Sequence, residues 1–173
     1  VFDQIDHVGL SRSCTKHNFL VEETKDLSRI IREALYLSTT GRPGTILVDI
    51  SKNALLSEAT YSFPEIKKVS GYKIPKKGPL VDVKEAANLI MKSQRPIIFG
   101  GGGIIISGAT KTLQRFANRL KIPVTLTLMG LGGYPPEDPM RVSWIGMHGS
   151  YFANMAVHHS DLVISIGARF DDR

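Results

Sequence analysis

Residues 96–106 read PIIFGGGGIII, an apolar run interrupted by four consecutive glycines. A β-branched apolar segment entering such a turn, with helical periodicity resuming near Thr110, predicts a strand, a turn and a helix. Glycine lacks a Cβ, so the backbone of this turn can adopt positive φ and approach a ligand closely. We therefore expect free backbone amides at a helix start, where nucleotide phosphates bind.

Two interpretations of this glycine run are open from the residues: a cofactor-binding loop, or a tight connection at a crowded sheet edge. The residues favour the cofactor loop, but they depart from the dinucleotide fingerprint. Ile106 stands where the third glycine of G-x-G-x-x-G would fall. The next predicted strand, 123–128, lacks the terminal acidic residue that binds the ribose of a nicotinamide cofactor. If a dinucleotide binds here, NAD does not fit.

The composition is that of a globular chain of 173 residues, 42% of them hydrophobic, with a net charge of +6. The positive charge forms no basic block, so nucleic-acid binding is not supported. Cys14 is the only cysteine, which excludes an internal disulfide and a cysteine-based zinc site and fits a reducing compartment. The longest apolar runs fall short of the roughly 18 residues of a membrane span.

The first part of the chain predicts one helix and one strand. The helix follows from apolar residues at helical spacing after Thr24: Leu27, Ile30, Ile31, Ala34 and Leu35. Residues 45–50 then predict a buried strand that is covered on both faces. Such a small set cannot enclose a core. We therefore expect residues 1–56 to be the C-terminal part of a larger α/β domain, and the proline- and lysine-rich residues 57–80 to be a linker.

A second unit is predicted from residue 81 onward. Asp82 and Glu85 have the spacing of a capping box, and the helix that follows carries apolar residues on one face: Val83, Ala86, Ala87 and Ile90. Beyond the glycine run, periodicity predicts a helix near 110–120, a strand at 123–128, a helix at 151–158 and a strand at 161–166. Strands alternating with helices predict a parallel sheet.

The carboxyl ends of parallel strands meet at one edge of a sheet, where ligands bind. Here the glycine run follows the first strand, TLMGLGG (127–133) comes at the end of the second, and GARFDDR (167–173) follows the third. Between the last two lies the glycine-flanked turn GMHG (146–149). This convergence predicts a binding site at the edge.

Single residues at this edge allow a functional and a structural interpretation. His148 could bind a cofactor or make local hydrogen bonds. Arg169 and Arg173, which flank two aspartates, could clamp an anion or form a surface ion-pair network. Lys52 is placed for an anionic substrate, although an exposed lysine is the commoner role. No metal-ligand spacing occurs, and the residues alone indicate a cofactor domain without indicating a reaction.

The chain resembles the catalytic subunit of acetolactate synthase in the order and spacing of its motifs. The matching motifs are TLMGLG (127–132), Tyr134-Pro135, GMHG (146–149), GARFDDR (167–173), KHN (16–18), TGRPG (40–44) and VDI (48–50). The resemblance implies a three-domain enzyme. Residues 1–56 would finish its thiamine-diphosphate pyrimidine-binding domain, 57–80 would be the linker, and 81–173 would begin a truncated, Rossmann-like, FAD-binding central domain.

The resemblance also implies an activity. Enzymes of this family decarboxylate pyruvate and condense the product with pyruvate or 2-oxobutyrate in branched-chain amino acid synthesis. They use thiamine diphosphate, Mg and FAD, and the flavin performs no net redox step. The thiamine-activating glutamate and the metal-diphosphate motif are expected outside these residues, so we expect a fragment that is inactive by itself. A homo-oligomer, a small regulatory subunit and a cytoplasmic location, or a plastid in a plant or alga, are further implications.

Carried over by position, the resemblance implies an FAD site formed by Arg42, Gly102, Thr127, Leu128, Ile145, Gly146, Met147, His148, Gly167, Ala168, Arg169, Phe170, Asp171 and Asp172. It implies that Arg173 pairs with the carboxylate of the second substrate, and that Phe2 and Lys52 border the substrate channel. Three residues depart from the family pattern, and the first of them bears on full activity: Asp3, Thr45 and Ser51. The alternatives are another thiamine-diphosphate carboligase or decarboxylase, and a non-catalytic flavin- or nucleotide-binding module.

Overall fold

A computed structural model describes residues 5–65, 69–75 and 77–170. The chain forms two compact units, Val1–Lys77 and Gly78–Arg173. Among the helices of the described ranges, none is both long enough and apolar enough to cross a membrane.

The first unit is built on two parallel strands, β1 (His17–Val21) and β2 (Ile46–Ile50), which pair along all five residues. The long helix α2 (Thr24–Thr39) connects the strands and packs on both. The described part of this unit also has two short helices: α1 (His7–Ser11) precedes β1, and α3 (Lys52–Leu56) follows β2.

The predicted helix and strand of this unit are confirmed, with two corrections. In α2, Leu37 is buried together with Ile30 and Ala34, whereas Ile31 and Leu35 are exposed. All five residues of β2 are half-buried, so the expected cover on both faces is wrong for this chain. The reason is that α2 is the one long helix that the described part of this unit packs against the strands.

Residues 57–79 form no helix or strand in their described positions, and Tyr72 ties this segment to the end of α2. The Tyr72 hydroxyl donates to the Thr40 carbonyl at 2.9 Å and accepts from the Lys16 ammonium at 3.1 Å. Lys16 also donates to the Thr40 carbonyl at 2.7 Å. The hydrogen bonds with Thr40 and Lys16 lower the pKa of Tyr72. A lysine thus satisfies carbonyls at a helix carboxyl end, where a cation is favoured.

The second unit is a four-stranded sheet, and the predicted parallel arrangement is confirmed. Its strands are β3 (Pro96–Gly100), β4 (Val124–Leu126), β5 (Arg141–Trp144) and β6 (Leu162–Ile166), in the spatial order β5-β4-β3-β6. The chain runs from β3 to β4 and β5 on one side and then returns to place β6 on the other side of β3. The strand order therefore reverses beside β3, which is where open α/β sheets bind ligands.

Residues 78–170 of this unit include the α-helices α4 (Leu80–Lys92), α5 (Gly103–Ile106), α6 (Thr110–Leu120) and α7 (Tyr151–His158). The predicted helices at 110–120 and 151–158 are confirmed. The core joins α5 and α6 to the strands through eight buried residues: Ile98, Ile104, Leu113, Ala117, Ile122, Val124, Leu126 and Tyr134.

The capping box predicted at Asp82 and Glu85 is wrong. The helix α4 begins earlier, at Leu80, with Pro79 as its N-cap and no side-chain cap, so Asp82 lies inside the first turn. Ile90 packs against the core, but three other positions predicted on the buried face are exposed: Val83, Ala86 and Ala87.

The strand β5 was not predicted, and β4 is shorter than the predicted strand at 123–128. In β5, Ser143 adopts a left-handed φ of 72° at a bulge, where the register against β4 shifts. The buried Thr125 hydroxyl donates to the Ser143 carbonyl at 3.0 Å. A bulge interrupts the alternation of side chains from which strands are predicted. Beyond β4, Thr127 caps a 3₁₀ turn, Leu128–Gly130, and thereby ends the strand.

Asp161 joins the amino ends of β3 and β6. Its carboxylate accepts hydrogen bonds from the Ser93 hydroxyl and from the backbone amides of Gln94 (2.8 Å) and Arg95 (2.9 Å). These bonds, led by that of Ser93, lower the pKa of Asp161 to about 2 from an ordinary value of 3.8. The ionised carboxylate therefore holds the start of β3 beside the start of β6.

Acid is expected to weaken this anchor. Because the pKa of Asp161 is lower in the folded chain than in the unfolded chain, its contribution to stability is complete above about pH 4 and is lost as pH falls through about 2. Asp161→Asn should reduce the proton uptake on unfolding near pH 3 by about one proton. The slope of the unfolding free energy against pH, between about pH 2 and pH 5, measures this uptake. Equal uptake by the parent and the variant would contradict the lowered pKa of Asp161.

Candidate functional site

The loops after the four parallel strands share one edge of the second unit, and they carry the predicted site residues Gly102, Thr127, Leu128, Ile145, Gly146, Met147, His148, Gly167, Ala168, Arg169 and Phe170. Arg42 follows α2 in the first unit, Lys52 is the first residue of α3, and both are exposed. Four predicted site residues lie outside the described ranges: Phe2, Asp171, Asp172 and Arg173. Their roles stay predictions.

The glycine run brings backbones together. A Cβ on Gly101 would lie 2.3 Å from the Gly167 carbonyl oxygen, and one on Gly103 would lie 2.8 Å from the Gly167 Cα. A Cβ on Gly130 would lie 2.6 Å from the Gly100 carbonyl oxygen. The loops after β3, β4 and β6 therefore touch through main-chain atoms, and these positions accommodate glycine only.

The expected free amides are already paired at two positions of the run. The Gly101 amide donates to the Ile166 carbonyl at 2.9 Å, and the Gly103 amide donates to the Gly167 carbonyl at 3.0 Å. The expectation of free amides is therefore wrong for Gly101 and Gly103, because the last residue of β6 and the first residue after it satisfy them. The run makes a tight connection at a crowded edge, and the interpretation of it as a cofactor loop stays a prediction. The cofactor role of Gly102 stays a prediction.

Large apolar side chains are exposed at the same edge. Met147 is 93% exposed, Met129 78%, Phe170 69% and Leu128 67%. The Phe170 ring lies 5.8 Å from the Phe99 ring, and its backbone has a φ of 49°, which is uncommon for a residue other than glycine. Exposed apolar side chains of this size at a strand-end edge indicate an interaction surface.

The turn that presents Met147 and His148 is fastened by α7. The Asn154 side chain accepts a hydrogen bond from the Gly146 amide at 3.0 Å and donates one to the Gly146 carbonyl at 3.1 Å. The Gly149 amide closes the turn by donating to the same carbonyl at 2.9 Å. Both Met147 and His148 are exposed as a result.

Sequence reasoning missed Asp138, which lies between β4 and β5. Its carboxylate accepts hydrogen bonds from the side-chain amides of Gln114 (2.9 Å) and Asn118 (2.7 Å), the Tyr134 hydroxyl (3.0 Å) and the Met140 amide (3.0 Å). These bonds, led by that of Gln114, lower the pKa of Asp138 to about 2. Burial, followed by the bond to Asp138, raises the pKa of Tyr134. The one available signal was the four-residue spacing of Gln114 and Asn118 on one face of α6.

Two comparisons with known proteins bear on this arrangement. A family model described as the thiamine pyrophosphate enzyme central domain matches residues 83–173. The acetolactate synthase large subunit of Buchnera aphidicola subsp. Acyrthosiphon pisum (strain APS) is 41% identical over 99% of this chain and 30% of the relative. The large subunit of acetolactate synthase isozyme 3 of Escherichia coli (strain K12) is 36% identical over the same shares.

A plant relative gives a similar result. The protein named acetolactate synthase, chloroplastic, of Arabidopsis thaliana is 41% identical over 99% of this chain and 26% of its own length. The chain thus spans less than a third of the length of the curated relatives it matches. The resemblance to acetolactate synthase noted from the motifs is confirmed.

Gly101→Ala is expected to destabilise the second unit, because the added methyl group would overlap main-chain atoms, which no side-chain rotation can move away. The expected loss of unfolding free energy is about 1–3 kcal/mol, the usual range for overpacking. Gly78→Ala is the matched control, since its Cβ would meet the Val83 side chain at an ordinary 3.9 Å. Chemical denaturation of both variants measures the difference, and equal stabilities would refute the close contact.

Asn154→Ala is expected to release the turn 146–149 while the sheet stays intact. Each lost hydrogen bond is worth about 1 kcal/mol, so the Gly146 amide should exchange with solvent at least about fivefold faster. Hydrogen exchange measures this, with Asn53→Ala, at an exposed position of the first unit, as the control. Unchanged exchange at Gly146 would show that Asn154 does not fasten the turn.

Proposed function

Because the chain belongs to the family of thiamine pyrophosphate enzymes, we propose that it is part of the large subunit of an acetolactate synthase. The proposed reaction decarboxylates pyruvate and joins the remaining two-carbon unit to pyruvate or 2-oxobutyrate, in branched-chain amino acid synthesis. The observation that carries this proposal is the 41% identity to a named large subunit along 99% of the chain, through both units.

Thiamine diphosphate supplies the carbanion chemistry of this reaction when bound. Its Mg²⁺ and diphosphate anchor is proposed to lie in other parts of the subunit. Among residues 5–65, 69–75 and 77–170, no group of three or more His, Cys, Asp or Glu side chains could hold a metal ion. The residues of this chain are thus assigned to FAD contact, substrate contact and support, and no step of the thiamine chemistry is assigned to them.

We propose that the carboxyl edge contacts the ring system of FAD, and that the paired amides of the glycine run do not hold its diphosphate. Exposed Leu128, Met147 and Phe170 offer apolar surface to a planar flavin. The amides of Gly101 and Gly103 are already paired, so the diphosphate needs other donors. We assign this role to the predicted FAD residues around them, among which the Arg169 guanidinium can bind a phosphate through two hydrogen bonds. The flavin is proposed to take no part in a net redox step.

The substrate contacts are proposed from the family pattern. Arg173 would pair with the carboxylate of the second 2-oxo acid, since a planar guanidinium forms two parallel hydrogen bonds with a carboxylate. Lys52, at the start of α3, and Phe2 would border the substrate channel, and Arg42 would contact FAD. The proposed partners are further large subunits, in a homo-oligomer, and a small regulatory subunit. The proposed location is the cytoplasm or a plastid.

The full-length large subunit tests the function. With thiamine diphosphate, Mg²⁺ and FAD it should form acetolactate from pyruvate, and acetohydroxybutyrate when 2-oxobutyrate is added. Failure to form either product, in a subunit that is folded and saturated with cofactors, would overturn the proposal.

Arg173→Lys should weaken the preference for the second 2-oxo acid, because lysine keeps the charge but loses the paired geometry with the carboxylate that pyruvate and 2-oxobutyrate share. The expected fall in kcat/KM for the second substrate is about tenfold, as for the loss of about 1.4 kcal/mol. Arg119→Lys, at an exposed position of α6, is the matched control. An unchanged product ratio in the Arg173 variant, with unchanged substrate affinity, would refute its role.

A further inference from the structure

The residues 127–133, here named the β4 loop, carry the exposed Leu128 and Met129 at the carboxyl edge. The near end of the loop is held by Thr127. Its amide donates to the Gly100 carbonyl at 2.8 Å, and its hydroxyl accepts from the Gly130 amide at 3.0 Å. The turn continues with the Gly133 amide, which donates to the Gly130 carbonyl at 2.8 Å. This end of the loop is therefore fixed to the sheet, directly after β4 and through the last residue of β3.

The far end of the β4 loop is held by a different element. Tyr134 follows the loop directly, is 1% exposed, and belongs to the core beside Ile104 and Leu113. Its hydroxyl donates to Asp138, and the other carboxylate oxygen of Asp138 accepts from Gln114 and Asn118 of α6. One carboxylate thus connects the end of the loop to a helix.

We propose that Asp138 is a positioning residue, which fixes the β4 loop through Tyr134 so that the loop can bind a flavin dinucleotide at the carboxyl edge. The role rests on the proposed function of that edge. Asp138 bonds to Tyr134 and not to the exposed side chains of the loop, so its effect on a ligand is indirect. The loop is held at one end by the sheet and at the other by Tyr134, so losing Asp138 removes the link from Tyr134 to α6 and leaves the first end unchanged.

The chemistry of the site requires a carboxylate. One oxygen faces two side-chain amide donors, and the other faces a hydroxyl donor and a backbone amide donor. In asparagine one oxygen is replaced by an NH₂ group, which would face N–H or O–H donors at either position. The pKa of about 2 keeps the group ionised, and therefore an acceptor at both oxygens, at all physiological pH values.

The test compares Asp138→Asn with Asp161→Asn in the full-length large subunit. Asp161 is a matched control: its pKa is also about 2, but it lies at the amino edge of the same sheet. The dissociation constant for FAD should rise about tenfold in the Asp138 variant, which corresponds to the loss of about one hydrogen bond to a charged group. It should stay within about twofold in the Asp161 variant. An equal effect of both variants would show a general loss of stability and overturn the proposal.

A second measurement does not depend on FAD. Without cofactor, amides of the β4 loop should exchange faster in Asp138→Asn than in Asp161→Asn, whereas amides of α7 should not differ. If the parent subunit binds no FAD, the flavin part of the proposed function fails, and unchanged loop exchange would also overturn the role of Asp138. If Asp138→Asn does not fold, Tyr134→Phe replaces it, since it removes the linking hydroxyl alone. Unchanged FAD affinity and loop exchange in that variant would likewise overturn the proposal.

Discussion

Contact between main-chain atoms of three loops is the constraint on which the second unit depends. The parallel register pairs Gly100 with Ile166 on one side and with Leu126 on the other, so the loops that follow leave the sheet at the same level. They are then too close for side chains, and Gly101 and Gly130 meet neighbouring backbones directly. The bonds from the Gly101 amide to the last carbonyl of β6 and from the Gly103 amide to the Gly167 carbonyl make this contact polar as well as close.

This constraint also decides how the edge can bind a ligand. The amides of Gly101 and Gly103 are used within the protein, and the neighbouring loops expose large side chains, with Met147 and Phe170 among the most exposed. Each of these loops has its own fastening: Asn154 holds the turn after β5, and Asp138 holds the far end of the loop after β4. The edge therefore combines closely packed glycine backbones at its centre with loops that are each held by their own hydrogen bonds.

The parts of the fold that were predictable are those with a local pattern. The periodicity of α6 and α7 and the apolar runs of β3 and β6 lie within single segments, and each was found. The parts that were missed depend on partners distant in the chain. Nothing near Gly101 shows that its amide will pair with Ile166, and the amides that surround Asp138 come from a helix some twenty residues earlier. The bulged strand β5 had no regular alternation to detect.

The two outer strands of the sheet differ in what they can accept. In the described part of the chain, β5 ends one side with four residues, a bulge and a left-handed Ser143, which leaves no straight row of main-chain groups for another strand to join. On the other side, β6 pairs with β3 over five regular positions, and its outer row is correspondingly regular. An additional strand from any other segment would therefore pair with β6 and not with β5.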